Sequence, residues 1–325
     1  MNWTKTANIK GDPGNAGLRG SKLTVQTAPP TQDSLVDDWN IDPETGDLYS
    51  YEKSKTQFAT FDASTGTLRF WNRETVPSVG DKDPEGHNVD NVFTELNYQN
   101  NYQSVFNSIA ENLKTAIAVD RVSFTNTSYM FHNCSSLATL DLHSFDTSNV
   151  TDMEWMFGDC LSLTTLDVSS FDTSKVTNMS NMFYDCSSLT TLDVSNFNTS
   201  KVTTMNNMFG YCSSLATLDL HSFDTSNVTD MDFMFSDCSG LTTLDLSNFD
   251  TSNVTNMSNM FYDCSSLTTL DVSNFNTSNV TYMRSMFHYC SDLTLDCSHW
   301  NVDKVTSYDR FNRDAPNVIP PVWKN

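Results

Sequence analysis

A 26-residue period leaves this chain few ways to fold. Cys134, Cys160, Cys186, Cys212, Cys238, Cys264 and Cys290 fall on it, and so do Leu137, Leu163, Leu189, Leu215, Leu241, Leu267 and Leu293. The phenylalanine column from Phe131 to Phe287 and the valine column Val150, Val176, Val202, Val228, Val254 and Val280 keep the same interval. A period of this length belongs to stacked units, each too small to bury its own apolar face.

Within one copy, Leu192 and Val194 alternate with Thr191, Asp193 and Ser195, which is the pattern of a half-buried strand. Phe197 turns inward, and Asn198-Thr199-Ser200 supplies turn chemistry. Val202, Met205, Met208, Phe209 and Cys212 follow at steps of mostly three and four, which predicts a short helix. Thr203 is placed as its N-cap, and Thr151 with Glu154 spells a capping box one coil pair earlier. The expected fold is therefore an α/β solenoid, a leucine-rich-repeat-like stack of parallel strands and short helices. The crossover rule makes it right-handed.

The repeat, written for example as LDLSNFDTSNVTNMSNMFYDCSSL at 244–267, resembles the BspA-type leucine-rich repeat of bacterial surface proteins. The resemblance covers about 121–312 and implies a secreted adhesin. Before it, Gly11, Gly14, Gly17 and Gly20 set out three G-X-Y triplets, read either as a collagen-like assembly segment able to form a homotrimer or as a glycine-rich linker. Ile41–Leu48 and Phe61–Leu68 share one turn pattern and predict two hairpins in a β-meander. The start WTKTANIK, the triplets and WNIDPETGDLY together resemble bacteriophage tail-fibre and baseplate proteins, which implies a virion component.

Apolar residues at Val92, Phe93, Leu96, Tyr102, Phe106, Ile109, Leu113 and Ala116 predict a helix over 89–118, as a cap on the solenoid or an oligomer seam. The expected organisation is an N-terminal anchor (1–22), a β-meander and linker (23–87), a helical cap (88–120), the solenoid (121–312) and a capping tail (313–325). Net charge is −22, and 125–300 holds twenty acidic residues against Lys175, Lys201 and Arg284. That balance argues against nucleic-acid binding. No apolar run approaches 18 residues, so no membrane insertion is expected. The opening MNWTKTANIKGDPG has no apolar core of a signal peptide, which favours a virion over an exported adhesin.

The cysteine column reads as buried free thiols, because stacked side chains stand ~5 Å apart, wider than the ~3.8 Å Cβ separation disulfides prefer. On the strand face, Asp141, Asp167, Asp193, Asp219, Asp245 and Asp271 form a column, with Asp296 after a one-residue deletion. Mutual repulsion is expected to raise some of their pKa values. The column suits a divalent cation or a hydroxyl-rich ligand, or simply hydrogen bonds to the Thr139–Thr269 column and to backbone. His143 and His221 share that face, three coils apart.

Residues that break the repeat are the better guide to binding. They are Glu154, Trp155, Gly158 and Leu161, then Asp232 and Phe233, then Tyr282, Arg284, His288 and Tyr289. Trp155 and Phe233 share a register and are candidate aromatic contacts. No triad, phosphate loop or metal motif appears, so neither enzyme activity nor a cofactor is expected. The leading expectation is a tail-fibre or baseplate protein, joined to other virion proteins by its N-terminus and presenting the solenoid to a host glycan or protein. The alternatives are a BspA-like adhesin at the bacterial surface and a phage head fibre.

Overall fold

The computed structural model describes residues 55–97 and 103–323 in full, and before them the backbone of β1 (Trp3–Asn8), β2 (Thr24–Val25), β3 (Trp39–Ile41) and β4 (Asp47–Tyr51). The chain forms two units, Met1–Thr56 and Gln57–Asn325. In the first, β4 lies antiparallel between β1 and β3, and β2 runs parallel to β3. The first duplicated turn is thus a hairpin with Ile41 opposite Leu48. Gly11, Gly14, Gly17 and Gly20, with the collagen-like reading placed on them, lie outside the described residues.

The second duplicated turn joins β5 (Thr56–Asp62) to β6 (Thr67–Arg73). Gly66 sits there at φ +70°, and a Cβ on it would come within 2.6 Å of the Asn112 carbonyl oxygen. Both the backbone angle and the space therefore require glycine. The two hairpins do not share one meander. β6 instead runs parallel to β8 (Thr115–Ala118), and β8 parallel to β10 (Thr139–Asp141), with Thr67, Thr115 and Thr139 in one row. With β5 and β7 (Asn91–Phe93) outside them, the order is β10-β8-β6-β5-β7. The second hairpin thus extends the strand row of the solenoid backwards and covers its first coil.

Most later coils contribute two or three residues to that row, the coil of Leu218 contributes none, and one further parallel pair lies beside the row. β9 (Val122–Ser123) pairs with β11 (Phe145–Asp146), β12 (Thr165–Leu166) with β13 (Thr191–Leu192), and β14 (Thr243–Asp245) with β15 (Thr269–Asp271). β16 (Leu295–Asp296) takes β17 (Val318–Ile319) from the C-terminal tail, where Trp323 stacks on Tyr308 at 4.4 Å. Leu192 and Val194 are buried while Thr191, Asp193 and Ser195 are exposed, as the alternation requires.

The Met-Phe-Cys segment is not a helix, and the fold is a β-solenoid rather than an α/β one. The N–H groups of Met153, Trp155, Phe157 and Asp159 donate across to the carbonyls of Asn178, Ser180, Met182 and Tyr184 in the next coil, at 2.8–3.1 Å. Between them, Met156, Gly158 and Cys160 close tight turns onto the carbonyl three residues back, each at 3.2 Å. Alternating turns and cross-coil bonds reproduce the three-and-four spacing of buried side chains without any helical i→i−4 bond. The pattern needs left-handed backbone twice per coil, at Trp155 and Asp159, Asn181 and Asp185, and so on, with φ from 48° to 64°. Asn and Asp tolerate that conformation best among residues with a side chain. The capping box fails with the helix: the Glu154 N–H donates to Asp152 Oδ1 at 3.0 Å, not to Thr151.

Among the described residues of 89–118 there is no α-helix either. They hold β7, a 3-10 turn at Ala110–Asn112 and β8. Phe106, Ile109, Leu113 and Ala116 are nonetheless buried, carried by i→i−3 turns, and Phe106 packs against Phe70 and Phe131.

Inside the coils, Phe131, Phe157, Phe183, Phe209, Phe235, Phe261 and Phe287 form one stack, with neighbouring centroids 5.4–5.8 Å apart and planes within 10°. From Cys160 to Cys290 each thiol donates to the phenylalanine carbonyl of the preceding coil at 2.9–3.3 Å. All eight cysteines are free, and burial pushes Cys134, Cys212, Cys290 and Cys297 up to about 12. A buried threonine column from Thr147 to Thr277 donates to a carbonyl of the following coil at 2.8–3.2 Å. Among the described residues no helix is long and apolar enough to cross a membrane.

Candidate ligand-binding site

The solenoid offers two surfaces, one over the strand row and one over the turns. On the strand face the aspartates are held by their own chain. Oδ1 of Asp167, Asp193, Asp219, Asp245 and Asp271 accepts the N–H two residues on, at 2.9–3.0 Å. These bonds cap the turn that ends each strand.

The hydroxyl and then the N–H of the following serine hold Asp167 and Asp193 below the usual carboxylate range. The N–H leads at Asp219 and Asp271, and His143 leads at Asp141. Repulsion along the column was expected to raise some of these values. It does not, because the carboxylates are exposed to water while their donors sit at bonding distance.

Imidazole Nδ1 of His221 lies 2.6 Å from Asp219 Oδ1, and His143 meets Asp141 in the same way. Two shallow depressions run along this face. One of about 600 Å³ gathers Asp167, Asp193 and Asp219, and one of about 300 Å³ gathers Asp219, His221 and Asp245. His143 and His221 stay three coils apart. Among the described residues no three His, Cys, Asp or Glu side chains converge to hold a metal ion.

On the turn face, Trp155 and Phe233 are half-buried. The Trp155 indole packs among Tyr129, His132 and Tyr184, with centroids 6.3, 4.8 and 5.0 Å away. Gly158 makes room for it, since a Cβ there would meet the indole at 2.3 Å. Tyr184 continues the row to Tyr211 at 5.3 Å, and further along Tyr262 meets Tyr289 at 5.7 Å. Tyr184, Tyr211 and Tyr262 escape a reading that compares each coil only with a consensus. Their signal is a longer interval, since Trp155, Tyr184 and Tyr211 are answered by Phe233, Tyr262 and Tyr289 three coils later.

Carboxylates line these rings. Asp159 takes His132 Nε2 at 3.1 Å, and Asp237 takes the Ser236 hydroxyl at 2.6 Å. Burial raises Asp185, Asp237 and Glu154 above the usual range, and pushes Asp232, beside Phe233, up to about 6. Beside the first coils, a polar groove of about 600 Å³ includes Asn107, Asn112, Asn133, Asp159 and Asp185.

A family model described as "Mycoplasma protein of unknown function, DUF285" matches residues 100–218 and again 212–320, together about two thirds of the chain. The chain belongs to the DUF285 family. No curated protein matches it. Among solved structures it is similar to a leucine-rich repeat protein from Bacteroides ovatus ATCC 8483, at 15% identity over 82% of this chain and 69% of that one, with a TM-score of 0.40. A leucine-rich repeat protein from Eubacterium ventriosum ATCC 27560 matches at 13% identity over 85% and 97%, TM-score 0.31. A leucine-rich cell surface protein from Faecalibacterium prausnitzii A2-165 matches at 15% identity over 75% and 93%, TM-score 0.21. The DUF285 matches span the coils and the segment that leads into them, so it is the solenoid that the family defines.

Proposed function

We propose that this chain is a bacterial cell-surface adhesin of the BspA type, without catalytic activity, whose solenoid binds a molecule outside the cell. The observation that carries the reading is a division of labour within each coil. Apolar side chains that repeat are buried, whereas Leu161, Tyr211, Tyr282 and Tyr289, which break the repeat, are 39–50% exposed. Packing does not ask for these residues, and a recognition surface does. The acidic surface favours neutral or basic partners over polyanions.

The virion role drew on the first 60 residues, most of which lie outside the described ones. The solenoid's family is described from a mycoplasma, and this favours a bacterial protein over a virion component. Immunogold labelling of intact cells, paired with adhesion of the purified chain to host epithelium or mucus, tests the reading. Surface label and saturable adhesion are expected. Label on phage particles and none on cells would return the chain to the virion.

A further inference from the structure

Six aromatic side chains of the turn face keep an interval of their own. Trp155 and Phe233, Tyr184 and Tyr262, and Tyr211 and Tyr289 are each 78 residues, or three coils, apart. Elsewhere the same columns carry Asn181, Asn207, Asn259 and Ser285, or Gly158, Gly210 and Ser236, or Asn133 and aspartate, with Tyr129, His132 and His288 as further rings at the two ends of the stack. The fold therefore accepts small or polar residues at all three positions. Trp155 and Phe233 both hold φ 56°, left-handed backbone that disfavours bulky side chains. The chain keeps aromatics at positions where other coils fold with small or polar residues.

We propose that Trp155–Tyr184–Tyr211 and Phe233–Tyr262–Tyr289 are paired subsites for one linear, uncharged glycan lying across the coils. The proposal rests on the adhesive reading above. Tyr211 and Tyr289 are 39% and 42% exposed and offer ring faces on which a sugar stacks. Asp159, Asp185 and Asp237 flank the first triad, and Asp237 and Asp263 the second. They accept hydrogen bonds from sugar hydroxyls and repel sialylated, sulphated or phosphate-bearing chains.

Asp159 and Asp237 already receive protein donors, so the site does not depend on a cationic ligand to satisfy them. The decisive feature is repetition. Two like subsites roughly 15 Å apart, at ~4.8 Å per coil, suit a ligand that itself repeats rather than the irregular side chains of a peptide. Engaging both raises affinity through effective concentration, without any new contact.

The test uses the full chain on an array of neutral, sialylated and sulphated glycans with poly-L-lysine spots, followed by titration of the neutral polymer that binds and of its short fragment. Tyr184→Ser and Tyr262→Ser install the Ser236 residue of the same column. Each alone is expected to weaken polymer binding by about 100-fold while leaving fragment binding within about twofold, because one subsite survives. Both together should abolish binding. Tyr211→Asn and Tyr289→Asn, at two exposed rings, repeat the test if the first pair lowers the melting temperature.

Absence of any neutral hit overturns the proposal. So does variant-sensitive binding to poly-L-lysine, or single variants that each cost the polymer only about twofold. An empty array with intact adhesion to cells removes the glycan subsites and leaves the adhesive reading standing, and loss of both removes both.

Discussion

The strand row and the turn row join the same coils at the same period, yet they hold differently. Along the strands, a coil lends at most three residues to a parallel pair, and every second side chain faces water. Along the turns, four N–H groups of one coil cross to the next, while Phe, Met and Cys beneath them are fully buried. The turn row is the stronger seam, and the strand row is the more open face. Regular apolar spacing tells which side chains go inside. The partners that the backbone N–H groups find decide the conformation that carries them.

The largest expected effect sets one row against the other. Phe209, stacked between Phe183 and Phe235 at 5.7 and 5.8 Å, should cost about 3–5 kcal/mol as Phe209→Ala. Leu192→Ala, on the strand row, should cost about 2–5 kcal/mol and less than Phe209→Ala. Urea unfolding of both variants measures the difference, and equal losses would mean that the turn row is not the stronger seam.

Next comes the threonine column between the two rows. The Thr199 hydroxyl donates to the Asp224 carbonyl at 2.9 Å and accepts the Asp224 N–H at 2.8 Å. Thr199→Val keeps the shape and strands both partners, for an expected loss of about 1–3 kcal/mol. A loss below that range would show that water replaces the hydroxyl.

Charge on the turn row gives a smaller, pH-dependent effect. Burial opposes the ionisation of Asp232 and pushes it up to about 6 in the fold, well above the usual carboxylate range. The folded state therefore holds the proton more tightly than the unfolded chain. The associated stability is present below about pH 4 and lost as pH rises through 6. Asp232→Asn, matching Asn206 of the same column, should gain about 1 kcal/mol at pH 8 after allowance for partial exposure, and nothing at pH 4. Thermal melts at the two pH values check this, and an equal gain at both would assign the effect to packing.

Phe233→Asn should move stability by under about 1 kcal/mol, in the favourable direction, because asparagine suits φ 56°. A clear destabilisation in the same melts would show that the ring is a packing residue. The smallest effect of all is expected from reductant. Thiol titration of the denatured chain should return the same count with and without it, and a gap would break the reading of the buried cysteine column.

Much of this was legible in the sequence. The period, the strand phase of Leu192 and Val194 and the free thiols follow from spacing alone. The helices did not follow, because steps of three and four between Val202, Met205, Met208 and Cys212 fit a row of tight turns equally well. What tells the two apart is Asn, Asp or another residue held left-handed between the buried ones, and an isolated coil gives no reason for it. That reason is the carbonyl of the next coil. The aspartate column misled for a related cause: distance along the column suggested repulsion, whereas the N–H two residues on is nearer. Trp155 and Phe233 were visible as breaks in the repeat. Tyr184, Tyr211 and Tyr262 needed the three-coil interval, which a comparison of single coils hides.

That interval has a consequence for how such a molecule changes. Residues 176–200 recur letter for letter at 254–278, and nearly identical stretches of a gene are where unequal recombination occurs. An exchange between them adds or removes 78 residues, which is three whole coils. Every cross-coil hydrogen bond would find its counterpart after such an event, since each coil meets its neighbour in the same register. Each exchange also carries one complete aromatic triad, so the length of the stack and its number of stacking sites would rise and fall together as a copy number.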